Sequence, residues 1–258
     1  MNTTNSTKSK SEEIKDIINQ LTIIIDDCIK REDVLGLFPA LYRKVTIAVC
    51  EAIAEEKFQD NPRMERLDII FANRYLEAYT IFRAGGKPTE SWEVAFEAGN
   101  KKNVLYLQHL LLGMNAHINF DLGIAAAKVA PDDQIQSLKA DFDQINVILN
   151  GLVDKVQKDL AKVAPLMYVL DYVTGGKDED FAKWAMSLTR NFAWDFAVDL
   201  AKHTENSTEW QKEIDKQDTI VAEAGKIMAY PGRWVSFIIR LLKLAEVKNV
   251  RKAIEVLM

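Results

Sequence analysis

The 258-residue chain is 48% hydrophobic and 28% charged, with 11 glycines and 6 prolines, which suits one sizeable packed core rather than a disordered or fibrous polymer. A net charge of −5 with no Lys/Arg-rich run argues against a nucleic-acid partner. No apolar run reaches the roughly 18–20 uncharged residues of a membrane span.

Residues 1–8 are rich in Ser, Thr, Asn and Lys and read as a disordered tail, leaving 9–258 as a single helical domain. Ser9 and Glu12 form a capping box for a helix to about Lys30. Pro39 suits a first helical turn and opens a helix through Phe58. Asn61-Pro62 starts the next, which runs to Arg83 and is stopped by Gly85-Gly86. A short helix around Trp92–Ala98 precedes a long one from about Lys101 to Val129, ended by Pro131. Further helices are predicted at 133–163, 165–173, 178–203, 208–229 and 233–257. Their breaks are Pro165, Gly175-Gly176, a polar HTENST run and Pro231-Gly232. No segment alternates as a strand does, so the expected fold is all-α, a single-domain bundle of about eight to ten helices.

The polar N-terminus lacks the apolar core of a signal peptide, and Cys28 and Cys50 lie in apolar helical text as reduced cysteines do. A soluble cytoplasmic protein is the expectation, and the sequons at Asn2, Asn5 and Asn206 are then accidental.

Polar residues in apolar helices locate the candidate site. On the helix bearing LQHLLLGMNAHINFDLG, His109, Gly113, His117 and Asp121 share one stripe, while Asn115 and Asn119 fall on the far side. His117 and Asp121 are one helical turn apart, about 6 Å along the axis, close enough to share a proton or a metal ion. His109 lies about 12 Å from His117 along the axis, which strains joint ligation. In RMERLDIIFANRYLEAYTIFR, Asp68, Ala72, Tyr75 and Tyr79 form one face. Arg74 sits in an apolar band and demands a carboxylate, with Asp121, Asp171 and Asp195 as candidates. Arg190 and Trp194 are neighbours on another largely apolar helix. No P-loop, GxSxG, HExxH or CxxC is present, and Lys30 spoils a DDxxD reading of Asp26-Asp27.

The strings LQHLLLGMNAHINFDLGIAAA, MERLDIIFANRYLEAY and LKADFDQINVIL together resemble domain of unknown function 5995, an uncharacterised bacterial family. That resemblance implies an all-α fold and a bacterial cytoplasmic setting, without an activity. GMNAHINFD is also similar to the HxxxD segment of the zinc-dependent phospholipase C and nuclease group, which would make His117 and Asp121 zinc ligands. That group uses several histidines, whereas this chain has three and no downstream HxxxE.

Two functions follow. One is an enzyme with a buried His/Asp pocket, metal-assisted hydrolysis of a small or lipid-like substrate being the first reaction class to test. His117, Asp121 and Arg74 would be catalytic, with a divalent ion held by His117, Asp121, His109 and Asp68. Asp68, Tyr75, Tyr79, Asn115, Asn119, Arg190 and Trp194 would contact the ligand. The alternative is a non-catalytic helical module that binds an apolar ligand or protein partner, its buried polar residues purely structural.

Overall fold

Apolar residues at helical spacing give eleven α-helices and no strand among the residues that the computed structural model describes, 10–163 and 178–258. They are α1 (Lys10–Arg31), α2 (Leu37–Ala54), α3 (Asn61–Arg83), α4 (Glu90–Glu97), α5 (Tyr106–Ala116) and α6 (Leu122–Val129). They continue as α7 (Ile135–Val163), α8 (Asp178–Ala201), α9 (Thr208–Ala229), α10 (Arg233–Ala245) and α11 (Val250–Leu257). The tail at 1–8, the Ser9 cap, the helix expected at 165–173 and Asp171 lie outside the described residues.

Local punctuation explains most boundaries. The Asp60 side chain accepts from the Arg63 amide to open α3, and Gly85 adopts φ 78° beyond its end, where a Cβ would be strained. Two predicted helices are each split. The element expected over 101–129 begins at Tyr106, because the buried Glu246 carboxylate accepts the Tyr106 amide at 2.8 Å. It is then interrupted by a π turn, His117–Asp121, between α5 and α6. The element expected over 233–257 breaks after Ala245, where Glu246 turns toward α5 and Asn249 caps α11.

The α5–π–α6 rod crosses two packed cores. One is built from α1–α5 with α11 and contains Phe38, Tyr75 and Trp92. The other surrounds α6 and α8 and contains Phe120, Phe142, Trp194 and Phe196. Glycines permit the closest approaches: a methyl on Gly113 would lie 2.5 Å from the Phe38 ring, and one on Gly123 would overlap Phe196. Tyr106–Val129 is apolar and long enough by composition to cross a membrane, but most of it is buried inside the bundle as a core rod.

Candidate functional site

The π turn sets the centre of the site. Leu122 donates its amide to the His117 carbonyl, five residues back, so one extra residue is accommodated without ending the rod. Such turns re-aim side chains, and here both His117 and Asp121 point into the protein, 2% and 0% exposed. The pair legible at helical spacing is therefore present, with His117 Nδ1 3.4 Å from Asp121 Oδ2.

Asp121 is saturated with donors from three elements. Arg74 Nε on α3 donates to Oδ1 at 2.6 Å, and Trp92 Nε1 on α4 donates to Oδ2 at 2.8 Å. Of the three carboxylates considered for Arg74, Asp121 is the one that answers; Asp195 is exposed. Trp92 is placed by Asp218 of α9, whose two oxygens accept the Glu90 and Ser91 amides and thereby cap α4 from outside. Burial pushes the Asp121 carboxyl up, but the Arg74 cation, then His117 and Trp92, outweigh it and hold it below the usual range.

His117 is neutral for the converse reason: burial lowers its pKa further than Asp121 raises it. A carboxylate can only accept, so the bond to Asp121 places the proton on Nδ1 and leaves Nε2 as an acceptor. At 3.4 Å that bond is the weakest of the three on Asp121. The imidazole is held mainly by rings, stacked on Phe71 at 3.6 Å between centroids and met edge-on by Tyr42 at 4.3 Å. Phe38, Tyr75 and Trp92 complete the cage.

Around this cage several buried polar atoms have no hydrogen-bond partner among the described residues: His117 Nε2, Tyr42 Oη, Tyr75 Oη and Asp68 Oδ2. Burial raises the Asp68 carboxyl to about 7. His109 Nδ1 is likewise unpartnered, and burial, then Lys243, brings its ring down to about 4. His109 lines a cavity of about 20 Å³ with Phe38, Tyr75, Trp92 and Gly113, room for about one water molecule.

The other predicted residues serve other contacts. Tyr79 joins a separate network, accepting from Arg83 Nε at 2.8 Å and lying 3.4 Å from the buried Cys28 Sγ. Asn115 donates to the Val221 carbonyl of α9 and accepts from Asn119, whose own carbonyl accepts from Gln217. The far-side asparagines thus fasten α9 and do not face His117. Arg190 lies over the Phe142 ring at 4.3 Å and donates to the Phe142 carbonyl, while Trp194 packs on the same ring. Both therefore belong to the α7–α8 contact, and burial alone brings the Arg190 pKa down to about 10.

The expected metal set is not gathered: no three His, Cys, Asp or Glu side chains form a ligand group among the described residues. The donor chemistry also disfavours a cation, since both Asp121 oxygens face donors and Arg74 already supplies a positive charge. Reading by spacing missed Trp92, Tyr42 and Phe38, each reaching the site from another helix; a tryptophan in a short helix was the one available signal.

No curated protein and no solved structure matches the chain. A family model does match residues 14–231, which contain the whole His117–Asp121–Arg74–Trp92 cluster and its ring cage, and the chain accordingly belongs to the family of unknown function DUF5995.

Proposed function

We propose that the chain is a non-catalytic helical module that binds an apolar partner, and that its buried polar cluster fixes how α3, α4 and the α5–π–α6 rod dock. The carrying observation is the state of Asp121: fully buried, with both oxygens committed to donors. A carboxylate that itself acts as acid, base or metal ligand needs an oxygen free for substrate, proton or metal. This one instead joins three elements, as a conformational lock does.

A second reading, a hydrolase with His117 as general base, draws support from the unpartnered His117 Nε2 and from Asp68 at about 7. Asp121 would then orient the imidazole, as the carboxylate of a triad does. Hydrolysis of a panel of p-nitrophenyl esters and phosphates by the purified chain and by His117→Ala, alongside their metal content and melting curves, separates the two. The module reading expects a lower melting temperature in the variant, no turnover and no metal that depends on His117. Turnover, or stoichiometric metal, that disappears with His117→Ala while the variant stays folded overturns it in favour of hydrolysis.

A further inference from the structure

We propose that α10 is a peripheral anchor that lies in the headgroup region of an anionic lipid bilayer. Trp234, Phe237, Leu241 and Leu244 recur at helical spacing and occupy one face. They are 85%, 57%, 50% and 77% exposed, far beyond the isolated apolar residues normal on a soluble surface. Ile227 and Tyr230, just before α10 in the chain, are exposed as well. Among the described residues α10 packs broadly against no other helix. It is nevertheless oriented: Lys243 Nζ donates to the Val104 carbonyl at 2.7 Å and lies over the Tyr106 ring, and Val247 donates to the Val163 carbonyl. The inner side of the helix is thus tied to the body and the Trp234–Leu244 side faces outward.

Charge complementarity selects the partner. Residues 233–252 carry six basic side chains and one acidic, a net +5 in a chain whose total is −5, so the remainder stands at −10. The one acid, Glu246, is buried and held by Lys243 and the Tyr106 amide, so it cannot offset the exposed cations. Arg240 and Lys248 are exposed. Exposed Trp, Phe and Leu bordered by Arg and Lys are the composition of a helix lying in a membrane interface, with cations on lipid phosphates and rings at the acyl boundary. A second copy docked on the same face would instead bring the exposed Arg240 and Lys248 of both copies together. The anchor begins at Arg233, just beyond the match to the family at 14–231.

This inference names the partner class and rests on the module reading for that purpose. The test is sedimentation of the full chain with phosphatidylcholine vesicles, with and without phosphatidylglycerol, at low and at 0.5 M salt. Binding is expected with phosphatidylglycerol, weakened by salt because such attraction is screened. Leu241→Asp should abolish it, and Arg240→Gln should weaken it about five-fold, the loss of one interfacial charge (about 1 kcal/mol). His117→Phe should leave it unchanged, so failure of the polar-core reading and failure of the anchor are separately visible. Three results overturn the proposal: no sedimentation with either vesicle, equal binding to both, or a wild-type dimer that Leu241→Asp converts to monomer without vesicle binding.

Discussion

Asp121→Asn tests the lock most directly. The carboxylate receives Arg74 on one oxygen and Trp92 with His117 on the other. An asparagine offers one carbonyl oxygen and an amide that only donates. With its oxygen toward Arg74, the amide faces the Trp92 and His117 N–H groups; turned round, it faces the guanidinium. One orientation leaves buried donors unmet, the other an ion pair broken. Breaking a buried pair from one side costs about 3–5 kcal/mol. The Arg74 side chain is 23% exposed and regains some hydration, so about 2–4 kcal/mol is the reasonable range. At about 2–4 °C per kcal/mol for a chain of this size, the midpoint should fall by about 5–15 °C in thermal unfolding followed by circular dichroism at neutral pH. Pairing Asp121→Leu with Arg74→Met should recover part of the loss, because apolar replacement of a whole ion pair is often neutral. An Asp121→Asn chain melting within about 2 °C of the wild type would refute the lock.

Asp68 gives a pH dependence of definite sign. Its folded pKa, about 7, exceeds the ordinary 3.8, so the folded chain holds a proton that the unfolded chain releases first. The stabilisation is full below about pH 4 and is lost as pH rises through 7, amounting to roughly 4 kcal/mol. Urea unfolding of Asp68→Asn and wild type should show the variant gaining relative stability between pH 4.5 and 8; a pH-independent difference would count against this assignment. Gly113→Ala should cost about 1–3 kcal/mol by driving a methyl into Phe38, and Phe38→Leu in the same chain should relieve part of it, as a double-mutant cycle would register. His117→Phe keeps the stack on Phe71 and removes an unpartnered acceptor and one long hydrogen bond, so its midpoint should stay within about 3 °C of wild type. A drop like that of Asp121→Asn would give the imidazole a larger structural share than its geometry carries.

Much of this protein is local and was legible as such. Helix starts and stops at Asn61-Pro62 and Gly85 follow from capping and backbone freedom, which depend on a few adjacent residues. The stripe of Asp68, Ala72, Tyr75 and Tyr79 is buried as its spacing implies, and Arg74 finds a carboxylate as its apolar surroundings require. Spacing says which face a residue occupies, but not which helix lies opposite. Hence Arg74 had three possible partners, Asn115 and Asn119 looked able to meet a ligand although they fasten α9, and Arg190 and Trp194 were grouped with the site although their side chains pack on Phe142 of α7. The π turn carries no recognisable letter pattern. Trp92 reaches Asp121 across 29 positions, and Asp218 caps α4 from 128 positions away. The amino-acid order determined the helices and their buried faces, because those are set within a turn or two of chain. Tertiary packing alone decided that Asp121 is a sealed junction and that, among the described residues, one apolar helix face near the C-terminus stays open, because both depend on which other segments come to the same place.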